Sequence, residues 1–124
     1  LDPASAFSTL RPMERDGAVY IVASGFHGTI YTGVTSNLVQ RVYQHREGTF
    51  GGFTARYGCR RLVWFATGGS MEGAIAREKQ IKNWPRAWKV ALIEESNPTW
   101  RDLAEDFGFE PLVNRKVDPG SGPG

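Results

Sequence analysis
The sequence predicts a small α+β domain: a three-stranded antiparallel sheet flanked by helices, in the order β-β-α-β-α-α-α. Three observations carry this prediction. The chain has 124 residues, 40% hydrophobic and 23% charged, the composition of one globular domain and not of a disordered chain. Two short runs rich in β-branched and aromatic residues flank a glycine-containing turn. Segments with apolar residues at helical spacing follow, bounded by capping residues. No apolar run approaches the ~18 residues that a transmembrane helix needs. The opening LDPASAFSTL lacks the basic start and long apolar stretch of a secretory signal. The one cysteine, Cys59, permits no disulfide within the chain and reads as a packing residue. Together these point to a reducing, cytoplasmic compartment.

Ala18–Ser24 (AVYIVAS) reads as a strand, Gly25–Thr29 as a turn and Ile30–Val34 as the partner strand of a hairpin. Ser36 or Asn37 caps a helix to about Glu47, ended by Gly48. Thr49–Gly58 reads as a connection and Arg60–Thr67 as the third strand. Ser70 caps a second helix to about Asn83, Pro85 opens a third to about Glu95, and Asn97-Pro98 opens a fourth that stops at Gly108. The expected organisation is a flexible segment 1–15, a domain 16–110 and a flexible tail 111–124. Met13 is a candidate natural start, and DPGSGPG has linker composition.

The net charge is only +2, yet residues 41–89 hold ten Lys/Arg against three acids, and residues 90–124 hold three basic against seven acidic. A basic middle suits a polyanion, although a solvated helix face has the same composition. Arg46, Arg56, Arg60, Lys79, Lys82 and Arg86 are the candidate nucleic-acid contacts. Phe50, Phe53, Tyr57, Trp84 and Trp88 are interleaved with these charges. Exposed aromatics there would stack on unpaired bases, while Trp88 begins an apolar stripe and is expected in the core.

The first helix presents Leu38, Val39 and Val42 as its apolar stripe, with Arg41 and His45 one turn apart beside it, at the rim of a cleft. The second helix presents Met71, Ala74, Ile75 and Ile81, and Glu78 projects from the same stripe. A carboxylate there needs a partner, either an arginine such as Arg41 or a divalent cation. Tyr20 and Tyr31 lie symmetrically about the hairpin turn and can share one sheet face.

Tyr20-x10-Tyr31-x9-Arg41-x3-His45 with a later helical Glu78 resembles the GIY-YIG nuclease superfamily, in its small stand-alone bacterial branch. The two signature triplets appear as Ala18-Val19-Tyr20 and Tyr31-Thr32-Gly33. The likeness extends through RVYQHREG, FTARYG, RRLVWF and AIAREKQIKNWPRAWKVALIEESNP to WRDL. Val34 stands where many members of the repair branch carry lysine, and Asn97 or Asn83 would be the late asparagine of some members.

The resemblance implies an endonuclease that hydrolyses DNA phosphodiesters with one Mg²⁺ or Mn²⁺ per site, on DNA of single-stranded or branched form, RNA remaining open. The matching catalytic positions are Tyr20, Tyr31, Arg41, His45 and Glu78, with Glu78 the metal ligand. Arg41 would grip phosphate through its planar paired donors. Tyr20 or His45 would accept the proton of the attacking water, and Tyr31 would hold that water or a phosphate oxygen. A non-catalytic nucleic-acid-binding module and a protein-interaction domain are the alternatives. Neither the oligomeric state nor the pathway follows from the residues.

Overall fold
The computed structural model describes residues 16–112. Met13, segment 1–15 and all but the first two residues of the expected tail lie outside the described residues. Strand β1 (Asp16–Ala23) runs between β2 (Ile30–Thr35) and β3 (Arg61–Ser70), and both pairings are antiparallel. Seven of the eight β1 residues are buried, as a central strand covered on both faces requires. Val19, Ile21 and Ala23 pack with Val63, Trp64, Ile81, Ile93 and Trp100. Tyr20 and Val22 pack with Val42, Cys59, Leu62 and Ala104 on the other face. Each fully buried aliphatic side chain in these layers contributes about 1.5–3 kcal/mol.

The helices begin and end for local reasons. Helix α1 (Leu38–Glu47) is capped by Asn37, whose Oδ1 accepts from the Gln40 amide at 3.1 Å, and Gly48 closes it at φ 76°. Helix α2 (Gly52–Tyr57) occupies the segment expected to be a connection. It has no side-chain cap, and two glycines with positive φ, Gly51 and Gly52, stand at its start. Those glycines disguise it in the sequence. Helix α3 (Met71–Lys82) starts on Ser70, whose Oγ accepts from the Gly73 amide at 3.0 Å, and helix α4 (Arg86–Ser96) follows Pro85.

The expected fourth helix from Asn97 does not form. Asn97 is instead the C-terminal cap of α4, and its buried amide donates to the Val63 carbonyl at 3.0 Å and the Arg101 carbonyl at 2.9 Å. These bonds hold an irregular loop against β3, and a 3₁₀ turn, Leu103–Phe107, follows in place of the expected helix. Asn97 is thus spent on structure and is not free to approach a metal, while Asn83 caps the end of α3. Packing also departs from the expected stripes. Helix α1 buries Val42, His45 and Arg46, leaving Val39 51% exposed, because His45 and Arg46 find buried partners. Trp88 is 58% exposed and not in the core. The α+β class and the three-stranded antiparallel sheet are as the sequence predicts.

Candidate active site
Tyr20 lies across β2 because its cross-strand neighbour is Gly33. A Cβ at Gly33 would collide with the Tyr20 ring and hydroxyl, so the glycine of the second triplet makes room for the tyrosine of the first. The Tyr20 hydroxyl meets His45 Nε2 at 2.9 Å, inside the protein. On the far side of the imidazole, His45 Nδ1 lies 3.2 Å from Thr54 Oγ1, and the Thr54 hydroxyl donates to the Gly51 carbonyl. The consistent assignment has the phenol donating to Nε2 and Nδ1–H donating to Thr54. Helix α2 therefore fixes the tautomer of a histidine on α1. His45 is buried, and so not at the rim of a cleft.

Burial dominates the titration of this pair. It pushes the Tyr20 phenol up to about 12, against the opposing pull of the Arg41 guanidinium beside it; Tyr31 and Glu78 add small upward pushes. Burial, with the Arg41 charge second, drives His45 down to about 4. At neutral pH the pair is phenol and neutral imidazole.

Arg41 is half-buried. Its Nε donates to Gln44 Oε1 at 3.1 Å, and its guanidinium carbon stands 4.6 Å from the Phe50 ring centroid. Among the described residues no carboxylate forms an ion pair with it. Glu78 on α3 is 9% exposed, and its described partner is Lys82, with Nζ 2.7 Å from Oε2. The sequence suggests Arg41 or a cation for that role, and the structure places Lys82 in it. The signal was present, since a Glu four residues before a Lys on a helix is a favourable pair. Lys82 Nζ also lies 5.4 Å from the Tyr31 ring centroid, and Tyr31 lies 6.4 Å from Tyr20 and 5.9 Å from His45, centroid to centroid. On the edge strand β2, Tyr31 therefore lies near both the His45 ring of α1 and the Lys82 ammonium of α3, and the charges of Arg41 and Glu78 both reach the Tyr20 phenol.

An aromatic strip extends from this cluster. Tyr31 contacts Phe50 and Phe53, with centroids 6.1 and 6.2 Å apart, and Phe53 contacts Tyr57 at 4.7 Å. Phe53 and Tyr57 are 46% and 47% exposed, and Arg56 flanks Tyr57. The other expected nucleic-acid contacts divide. Arg60, Lys79 and Lys82 are exposed. Arg86 is exposed but donates to the His27 and Gly28 carbonyls, tying α4 to the hairpin turn. Arg46 requires correction: it is 4% exposed, paired with Asp102 and bonded to the Glu110 carbonyl. Its charge is neutralised inside the protein and does not meet a phosphate.

The donor set suits a hard cation. Glu78 offers a carboxylate oxygen, and Mg²⁺ is commonly held by one or two carboxylates with water and substrate phosphate completing its shell. Among the described residues no group of three or more His, Cys, Asp or Glu is placed to form an all-protein cage. No helix there is long and apolar enough to cross a membrane.

Comparisons with known proteins agree with this arrangement. The GIY-YIG catalytic domain family matches residues 16–91. The chain is similar to a UPF0213 protein of Aeromonas salmonicida (strain A449), 28% identical over 99 residues that span 80% of this chain and 71% of the relative. It is also similar to UPF0213 proteins of Syntrophus aciditrophicus (strain SB), 36% identical over 55% of this chain and 79% of the relative, and of Haloquadratum walsbyi, 34% identical over 62% and 85%. No solved structure matches the chain significantly. The family match covers well over half of the chain and implies an activity of nuclease type on nucleic acid, so the chain belongs to the GIY-YIG family.

Proposed function
We propose that the chain is a divalent-metal-dependent endonuclease that hydrolyses DNA phosphodiester bonds, with Tyr20, Tyr31, Arg41, His45 and Glu78 as its catalytic residues. The observation that carries the reading is the buried Tyr20–His45 hydrogen bond, 2.9 Å long, set beside a guanidinium with no acidic partner among the described residues. The bond offsets the cost of burying the two polar groups, and it provides a path for a proton from the phenol to the imidazole.

Arg41 binds the scissile phosphate with paired donors, which a lysine does not reproduce. As Arg41 turns from Tyr20 to the phosphate, it opens one side of the phenol oxygen to the attacking water. Tyr20 then accepts the water's proton while passing its own to His45 Nε2. Coupling the two transfers avoids a free phenolate, which the raised Tyr20 value disfavours. The choice between Tyr20 and His45 as base thus becomes a sequence: Tyr20, whose phenol lies beside Arg41, meets the water, and His45, bonded to that phenol through Nε2, receives the proton that Tyr20 gives up. Tyr31, half-buried on β2, holds the water or a phosphate oxygen. Glu78 would hold a single Mg²⁺ or Mn²⁺, which when bound supplies charge neutralisation at the phosphate and the departing 3′ oxygen.

Arg56, Arg60, Lys79 and Lys82 would take the flanking phosphates, with affinity that falls as salt rises. The strip Phe53–Tyr57 favours DNA with unpaired bases, single-stranded or branched, because stacking needs an open base face. The test is incubation with single-stranded, duplex and flapped DNA, in Mn²⁺ or in EDTA. Cleavage that requires Mn²⁺ and is fastest beside unpaired nucleotides is the expected result. Retention without cleavage supports a binding module instead, and neither outcome with any DNA would end the nuclease reading.

A further inference from the structure
Lys82 stands at the junction of the two halves of the site. Its ammonium lies 2.7 Å from Glu78 Oε2 and 5.4 Å from the centroid of the Tyr31 ring. The two partners differ in freedom. The Glu78 side chain is 12% exposed and the Lys82 side chain 46%, so the acid is held by packing while the ammonium ends a flexible four-carbon stem reaching solvent. An exposed ion pair of this spacing does little for stability, yet this one engages the carboxylate assigned to the metal.

We propose that Lys82 is a resident counter-ion for Glu78 that yields the carboxylate to the incoming cation and passes to a substrate phosphate. This rests on the reading of Glu78 as the metal ligand. A divalent ion on the carboxylate and an ammonium on the same oxygen repel one another, so Lys82 leaves Oε2 when the ion arrives. Its released ammonium remains beside Tyr31, on the side where Arg41 is placed to take a phosphate. Two consequences follow. Without nucleic acid, Lys82 competes with the cation and weakens its binding. With nucleic acid, Lys82 adds a phosphate contact that exists only when a cation has displaced it.

The test compares wild type, Lys82→Gln and Glu78→Gln, each first checked for a native circular dichroism spectrum. Mn²⁺ affinity is measured without DNA by electron paramagnetic resonance. DNA affinity is then measured against salt concentration with Ca²⁺ or with EDTA. Lys82→Gln is expected to bind Mn²⁺ several-fold to about tenfold more tightly. It is also expected to lower the slope of log affinity against log salt by roughly one phosphate contact in Ca²⁺ while leaving the EDTA slope unchanged. Unchanged or weaker Mn²⁺ binding in Lys82→Gln, with binding lost in Glu78→Gln, overturns the counter-ion role and leaves the metal ligand standing. Wild-type Mn²⁺ affinity in Glu78→Gln overturns both.

Discussion
Helix α1 carries two arginines five residues apart that meet opposite fates. Arg46 points into the protein, where Asp102 accepts from it through Oδ2 and from the Leu62 and Ala104 amides through Oδ1, both at 3.1 Å. The Phe109 ring lies against its guanidinium, 4.9 Å from centroid to carbon. Both terminal guanidinium nitrogens of Arg46 and both carboxylate oxygens of Asp102 have protein partners in that cluster. Arg41 stops at the surface with a glutamine and an aromatic face but no described acid. The two acids differ likewise: Asp102 accepts from three donors, while the described ion pair of Glu78 is with an exposed lysine. A buried charge satisfied on all sides holds a fold together. A charge left short of a partner, beside a buried phenol–imidazole pair, is arranged for something that arrives from outside.

Each side of this contrast can be broken separately. The largest effect on stability is expected at the closed cluster. Arg46→Met leaves Asp102 buried with no cation and is expected to cost about 3–5 kcal/mol, read as a lowered urea midpoint, with the salt dependence of DNA binding unchanged in the folded fraction. A fall in the salt slope would return Arg46 to the phosphate contacts. At the open cluster the effects move to activity. Arg41→Lys is expected to slow cleavage on the order of 100-fold or more, because a point charge does not match two phosphate oxygens, with little change in melting temperature. A wild-type rate would separate Arg41 from the scissile phosphate. Tyr20→Phe removes one oxygen and is expected to cost about 100-fold in rate, the lower range of general acid–base contributions. Unimpaired cleavage would remove Tyr20 from the proton path.

The smallest effect is in the pH dependence of stability. Folded His45 titrates at about 4, while an unfolded histidine titrates near ~6.5. Between those values the unfolded chain binds more protons, so stability falls as pH drops through this window. From pH 7 to pH 5 the loss assignable to His45 is about 2 kcal/mol. His45→Gln is expected to lose that share of the pH dependence, measured by urea unfolding at both values. Identical pH dependence in the two proteins would mean that His45 is not held neutral by burial.

The sequence disclosed what depends on local pattern. The β1–β2 hairpin, the Asn37 and Ser70 caps and the buried face carrying Glu78 are each written in a few adjacent residues. The site residues emerged through a spacing resemblance and not through chemistry, since no local feature shows that Tyr20 will face His45 across 25 positions. What stayed hidden was long-range partnership. Asp102 claims Arg46 from 56 positions away, which turned an apparent surface cation into a core residue. Asn97 bonds to β3 across 34 positions, which stopped a helix that its Asn-Pro dipeptide advertised. Thr54, which fixes the imidazole tautomer, sits in a helix concealed behind glycines. Lys82 was legible by spacing alone, but its meaning depended on where Glu78 would point.

The central claim is that one acid on α3 makes the phenol, imidazole and guanidinium at the β2 edge into a metal-dependent hydrolytic site. It is tested most directly by the initial rate of single-stranded DNA cleavage as Mn²⁺ is raised from zero, for wild type beside Glu78→Gln at equal DNA occupancy. The account predicts a saturable rise for wild type and a rate at least about 1,000-fold lower in the variant, the scale of transition-state charge stabilisation lost with such a group, while both proteins bind DNA comparably in EDTA. A variant that cleaves at the wild-type rate, or a wild-type rate indifferent to Mn²⁺, would contradict it.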